Sequence, residues 1–74
     1  MKITDTKLLL DIWNTERELE AYRMIKDGYD ILSKLPENKD SNIYMINHLR
    51  FAETEDGCRA FLEKLYKIKE ERNL

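Results

Sequence analysis

The sequence predicts an all-α fold: a small helical bundle in which a long N-terminal helix hairpins onto a short helix and a C-terminal amphipathic helix. Three observations predict it. Apolar residues recur at three- and four-residue steps over residues 5–34, a proline follows that stretch, and a second helical apolar row occupies the C-terminal third. At this length we expect a single domain spanning residues 1–74.

The first predicted helix spans residues 5–34. Thr4, Asp5 or Thr6 can cap its first turn by accepting a hydrogen bond from a free amide. Its apolar stripe, in which Thr15 is a gap, comprises Leu8, Ile12, Leu19, Tyr22, Ile25, Tyr29 and Leu32. Because this stripe stays in phase across Gly28, we expect a continuous helix, with a kink at Gly28 as the alternative.

A connection follows at residues 35–41. Pro36 disfavours helical geometry in Leu35 and lacks an amide donor, so the first helix should end there. The polar stretch after it has a length typical of turns between antiparallel helices. Residues 42–52 then favour a short helix with Ile43, Ile46 and Leu49 on one face, although Ile43, Met45, Leu49 and Phe51 fit the alternation of a strand almost as well.

The last predicted helix spans residues 55–72. We expect Thr54 to cap it, with Glu55 and Asp56 in the first turn, where negative charge favours the helix dipole. The predicted apolar stripe comprises Cys58, Phe61, Leu62, Leu65 and Ile68. The opposite face alternates in sign at four-residue spacing through Glu55, Arg59, Glu63, Lys67 and Glu71. That row predicts an exposed face.

The length of the first helix restricts the overall shape. Thirty residues of helix extend about 45 Å, whereas a compact chain of this size has a diameter near 30 Å. Either Gly28 bends the helix back onto the core, or the molecule is an elongated hairpin. In the second case part of the apolar stripe is uncovered, which is typical of an interface.

Composition argues against several classes of function. The charges nearly balance, with 13 basic and 15 acidic residues, so a nucleic-acid partner is not expected. Cys58 has no cysteine to pair with, and His48 is the only histidine and lacks ligands at helical spacing. We therefore expect no metal, no cofactor, no catalytic residues and no enzymatic activity.

The expected location is the cytoplasm, with no membrane association. An acid at position 5 precedes any long apolar run, which argues against a secretory signal. The longest unbroken apolar stretch is three residues, far below the roughly 20 that a membrane span requires. The single cysteine is also atypical of small secreted domains.

These observations favour a small regulator, adaptor or inhibitor that binds another protein, of a size typical of those encoded by phages or mobile elements. Aromatic residues are common among binding hot spots, and the predicted partner-binding residues are Leu9, Leu10, Trp13, Tyr44 and Tyr66. A homodimer would supplement the small core.

The alternative is a dimeric helix-turn-helix regulator that binds DNA with residues 42–72. Arg59, Lys64 and Lys67 favour this reading. Glu55 and Asp56 argue against it, because they stand where the recognition helix would meet phosphate.

Overall fold

The chain folds as two long helices packed against each other, which confirms the all-α prediction. This computed structural model describes residues 3–74; residues 1 and 2, which belong to the predicted domain, lie outside the described residues. Helix α1 spans Asp5–Lys34 and helix α2 spans Ile43–Glu71, joined by a single 3-10 turn at Pro36–Asn38. The hairpin measures 52 × 17 × 15 Å. Its radius of gyration, 16.6 Å, exceeds the roughly 11 Å of a compact chain this long, so the molecule is elongated.

Local chemistry explains the ends of α1. The Thr4 hydroxyl accepts a hydrogen bond from the amide of Lys7 at 3.2 Å and so caps the first turn. Helix α1 passes through Gly28 without a break and ends at Lys34, because the next residue, Leu35, is extended ahead of Pro36. The carbonyl of Leu32 accepts hydrogen bonds from the Leu35 amide at 3.4 Å and from the side-chain amide of Asn38 at 2.9 Å, which closes the C-terminal end.

Helix α2 is continuous where the sequence predicted two helices, 42–52 and 55–72, so the predicted boundary between them is wrong. Thr54 does not cap a new helix; its hydroxyl donates to the carbonyl of Arg50 at 3.1 Å, one turn back in the same helix. The expected turn carries no proline, and Gly57 has no left-handed backbone that would end a helix.

The two helices meet along one seam in which every position is buried or half-buried. Steps of four and three residues alternate along it, the spacing of a two-stranded coiled coil. Helix α1 contributes Leu8, Ile12, Thr15, Leu19, Tyr22, Lys26, Tyr29 and Ser33. Helix α2 contributes Tyr44, His48, Phe51, Glu55, Cys58, Leu62, Leu65 and Lys69.

The seam corrects part of the predicted apolar stripes. Thr15 is buried rather than a gap, and its hydroxyl is satisfied by donating to the carbonyl of Asp11 at 2.6 Å. Lys26 and Ser33 occupy the seam where the sequence favoured Ile25 and Leu32, which are exposed. Hydrophobicity alone suggested the aliphatic residues, but the seam follows the heptad spacing.

In α2 the same correction applies. Phe61 is exposed although it was expected in the stripe, while Cys58, Leu62 and Leu65 lie in the seam. The apolar face predicted for the short helix is also exposed; it comprises Ile43, Ile46 and Leu49.

Candidate interaction surfaces

The hydrophobic core is confined to the half of the hairpin that holds the chain ends. Leu8, Ile12, Leu62 and Leu65 are its buried members, and Ile3, Leu19 and Ile68 pack against them. Leu8 is fully buried. We call this region the terminal half; it comprises residues up to 19 in α1 and from 58 onward in α2.

The loop half, residues 20–54, has no buried residue. Its seam is aromatic: the ring of Phe51 stacks on Tyr29 with a centroid distance of 5.8 Å and lies 6.5 Å from Tyr22. These rings are half-buried, and large aliphatic side chains nearby are left exposed. The exposed set comprises Met24, Ile25, Ile31, Leu32, Ile43, Met45, Ile46 and Leu49.

A buried carboxylate separates the two halves. Glu55 is only 4% exposed, and three cations neutralise it. Lys26 Nζ lies 2.8 Å from Glu55 Oε2, while Arg23 Nε and Arg59 Nη2 lie 3.2 and 3.3 Å from Oε1. The hydrogen bond from Lys26 and the positive charges around the carboxylate lower the pKa of Glu55, against the opposing effect of burial. Glu55 therefore stays ionised at neutral pH.

The position predicted for Glu55 is wrong. It was expected on an exposed face and in the first turn of a helix, whereas it lies buried in the middle of α2. Its pairing with Arg59 at four-residue spacing was part of the predicted row of alternating charges. The partners from α1 had no sequence signal, because they are 29 and 32 positions away.

His48 and Cys58 form hydrogen bonds across the seam to backbone carbonyls of α1. His48 Nδ1 lies 3.0 Å from the carbonyl oxygen of Lys26, so that nitrogen carries the proton and donates it. The Cys58 thiol donates to the carbonyl of Thr15 at 3.6 Å, and burial, with the nearby charge of Glu18, raises its pKa. Among the described residues, no group of three or more His, Cys, Asp or Glu side chains is placed to hold a metal ion.

Three of the five predicted partner-binding residues share one side of the terminal half. Leu9, Trp13 and Glu16 follow each other at one-turn spacing on α1, and the Tyr66 hydroxyl of α2 reaches across to Glu16 Oε2 at 2.6 Å. Leu9, Trp13 and Tyr66 are all exposed, Trp13 by 58%. We call these three residues the Trp13 surface.

Neighbouring charges restrain the aromatic rings of this surface. The Arg17 guanidinium lies 5.9 Å from the centre of the Trp13 ring, within range of a cation–π contact. The hydrogen bond to Glu16, with smaller effects of burial and of the Glu16 charge, raises the pKa of Tyr66. Tyr66 thus keeps, at physiological pH, the proton that it donates to Glu16.

The other two predicted residues lie elsewhere. Leu10 is exposed on the outer face of α1, turned away from the seam. Tyr44 is half-buried in the seam at the loop end. About 20 residues of helix rise, or roughly 30 Å, separate it from Trp13. The structure therefore does not bring all five residues into one site.

A second exposed surface was not recognised in the sequence. An open groove of about 260 Å³ runs along α1 beside the seam, lined by Ile25, Gly28, Tyr29 and Leu32. Ile43 and Gly57 of α2, two heptads apart, lie on this same side, and Phe61 lies one helical turn beyond Gly57. We call the side formed by Ile25, Gly28, Leu32, Ile43, Gly57 and Phe61 the apolar flank.

Charge distinguishes the two sides of the hairpin. On the side of the apolar flank, the helical residues between 18 and 61 include two charged residues, Glu18 and Arg50. The opposite side, at the same heights, carries Glu20, Arg23, Asp27, Asp30, Asp56 and Arg59. Sequence reasoning missed this asymmetry because it assigned Ile25, Leu32 and Phe61 to the core.

The helix-turn-helix alternative required a turn at residues 53–55, and α2 is helical there. None of the helices in residues 3–74 is long and apolar enough to cross a membrane. Comparisons with protein-family models, curated proteins and solved structures gave no match to this chain.

Proposed function

We propose that this chain is a non-catalytic binding protein that regulates, links or inhibits another protein in the cytoplasm, and that it engages this partner through the Trp13 surface. One observation carries the proposal: Leu9, Trp13 and Tyr66 are exposed together on one side of the best-packed part of the hairpin. Tryptophan and tyrosine dominate binding hot spots because they bury a large area with few rotatable bonds.

Rigidity supports the choice of this surface. The neighbouring helix positions Leu8 and Ile12 are buried in the core, so the backbone that carries Leu9 and Trp13 is held by packing. Tyr66 is bonded to Glu16, and the Arg17 guanidinium lies over one face of the Trp13 ring. Binding therefore costs less side-chain entropy than at a mobile surface.

The mixed charges around the surface indicate a partner patch with an apolar centre and a polar rim. Glu16 and Arg17 lie beside the aromatic rings, one of each sign. Such a rim excludes water from a hydrophobic contact and adds specificity more than affinity. This arrangement fits a protein surface with an apolar pocket better than a uniformly charged polymer.

The test uses Trp13 both as the anchor and as the reporter. A tagged full-length chain captures its partner from lysate. The purified partner is then titrated into the chain while tryptophan fluorescence is followed, since Trp13 is the only tryptophan of the chain. Burial of the exposed ring should shift its emission to shorter wavelength. Trp13→Ala should weaken capture by about tenfold or more.

Ile31→Ala is the matched control, because Ile31 is 63% exposed on the outer face of the loop half. It should leave capture unchanged, and circular dichroism should show equal helicity in both variants. If Trp13→Ala and the unaltered chain capture the same partner equally, the Trp13 surface is not the binding site and the proposal fails.

A further inference from the structure

An isolated hairpin exposes more surface than its mass requires. The described chain has 5817 Å² of accessible surface at 8.9 kDa. A compact monomer of that mass exposes about 4,800 Å². The excess of about 1,000 Å² is close to the area of about 800 Å² that each partner buries in a stable protein–protein interface.

Three of the eight exposed large apolar side chains of the loop half lie on the apolar flank, and Phe61 of the terminal half continues it. Ile25, Leu32, Ile43 and Phe61 are each more than a third exposed there, and few charges interrupt them. The other side of the hairpin presents charges at the same heights. An apolar, charge-poor side next to a charged one is the pattern of a helix pair that is covered on one side.

Both glycines of the chain lie on this flank, and neither is needed within the hairpin. Among the described residues, no atom outside the local backbone lies within 4 Å of a Cβ placed on Gly28 or Gly57. Glycine costs a helix about 1 kcal/mol relative to alanine. The hairpin itself gains no packing in return, whereas a second helix could approach closely at these positions.

Charge and register indicate what covers the flank. The contacts Asp5–Arg72 and Lys26–Glu55 show which residues of α1 and α2 lie at the same height. By the register of the Asp5–Arg72 contact, Leu32 lies within about one helical turn of the height of Ile43, and Asp11 within about one turn of the height of Lys64. A two-fold axis along the hairpin would set α1 of one copy against α2 of the other. Leu32 would then meet Ile43, and Asp11 would meet Lys64, in each of the two equivalent contacts.

We propose that two copies of this chain pair through the apolar flank, with their loops at the same end, to form a four-helix bundle. The net charge of −2 per copy leaves little mutual repulsion. The pairing leaves the Trp13 surface of each copy on the outside. It does not rest on the proposed function, since either surface can be tested without the other.

The test is the molar mass of the full chain by sedimentation equilibrium. We expect twice the 8.9 kDa of one chain at micromolar concentration. Ile25→Glu should raise the dissociation constant about a hundredfold, because each dimer loses two buried isoleucines and gains two buried charges. Ile31→Glu is the matched control on the outer face of the same helix and should remain dimeric.

A wild-type monomer at 100 µM and above would overturn the proposal, as would equal dissociation in the Ile25→Glu and Ile31→Glu variants. Binding of a different protein to the flank, with the chain itself monomeric, would also overturn it. Circular dichroism verifies that both variants remain helical.

The arrangement has its own test in a Cys58→Ala background. Mixing Leu32→Cys chains with Ile43→Cys chains should give a mixed disulfide between them under mild oxidation. Preferential linking of Ile25→Cys chains to each other, with no bond between positions 32 and 43, would indicate α1 packed on α1 and overturn the proposed arrangement.

Discussion

The terminal half and the loop half of the hairpin contain similar amounts of apolar side chain but use it differently. In the terminal half, leucine and isoleucine occupy the seam and are buried, as Leu8 and Leu65 show. In the loop half the seam holds aromatic and polar residues such as Phe51 and Lys26, and the aliphatic residues lie outside it. Apolar composition therefore does not by itself identify the stabilising part of a helical hairpin; register does.

The largest expected effect tests this difference directly. Leu62→Ala, in the terminal half, should lower the free energy of unfolding by about 3 kcal/mol, because it removes a buried side chain and leaves a cavity. Leu49→Ala, in the loop half, should cost less than about 0.5 kcal/mol in the monomer, since Leu49 is exposed. Urea denaturation followed by circular dichroism measures both.

For the Leu62 and Leu49 comparison, the monomeric Ile25→Glu variant is the suitable background. A cost at Leu49 equal to that at Leu62 would show that the loop half has a core of its own, and the distinction between the halves would not hold.

The boundary between the halves gives a smaller effect. Glu55→Gln should cost about 2 kcal/mol, because Lys26 loses its charged partner in a partly buried position. The double variant Glu55→Leu with Lys26→Leu should regain most of that stability, since an apolar pair avoids the cost of desolvation. Urea denaturation of the single and double variants measures the difference. If the double variant is less stable than Glu55→Gln, the ionic network does more than neutralise a buried charge.

The smallest effect is in the pH dependence. The pKa of Glu55 is lower in the folded chain than the ordinary 4.5, so its ion pairs stabilise the fold fully above that pH. This contribution should disappear as the pH falls from about 4.5 through the lower pKa of the folded state. Unfolding free energies measured between pH 6 and pH 3 should therefore fall more steeply for the unaltered chain than for Glu55→Gln. Parallel curves would contradict the assignment.

The candidate surfaces were only partly predictable. Trp13, Leu9 and Tyr66 were recognisable as aromatic and apolar residues typical of interfaces, and their one-turn spacing placed Leu9 and Trp13 together. Nothing local linked Tyr66 to Glu16, which is 50 positions away and bonded only in the folded hairpin. Tyr44 had the same sequence character as Tyr66, yet the register places it in the seam.

The apolar flank was hidden for a related reason. At these heights, Ile25 and Leu32 fit a helical apolar stripe, and Lys26 and Ser33 fit the heptad spacing equally well. Hydrophobicity favoured Ile25 and Leu32 as the buried residues. The deciding contact is between Lys26 and Glu55, since a buried carboxylate requires a cation beside it. Once Lys26 faces α2, Ile25 and Leu32 turn outward.

The sequence by itself determined the helical class and the turn. Helical periodicity and the proline after Leu35 act over one or two turns, so local physics suffices to read them. Tertiary structure decided that residues 53–55 stay helical, that Glu55 is buried, and which apolar residues face outward. Each of these depends on the second helix, because the packing and ion pairs across the seam outweigh the local preferences of any single segment.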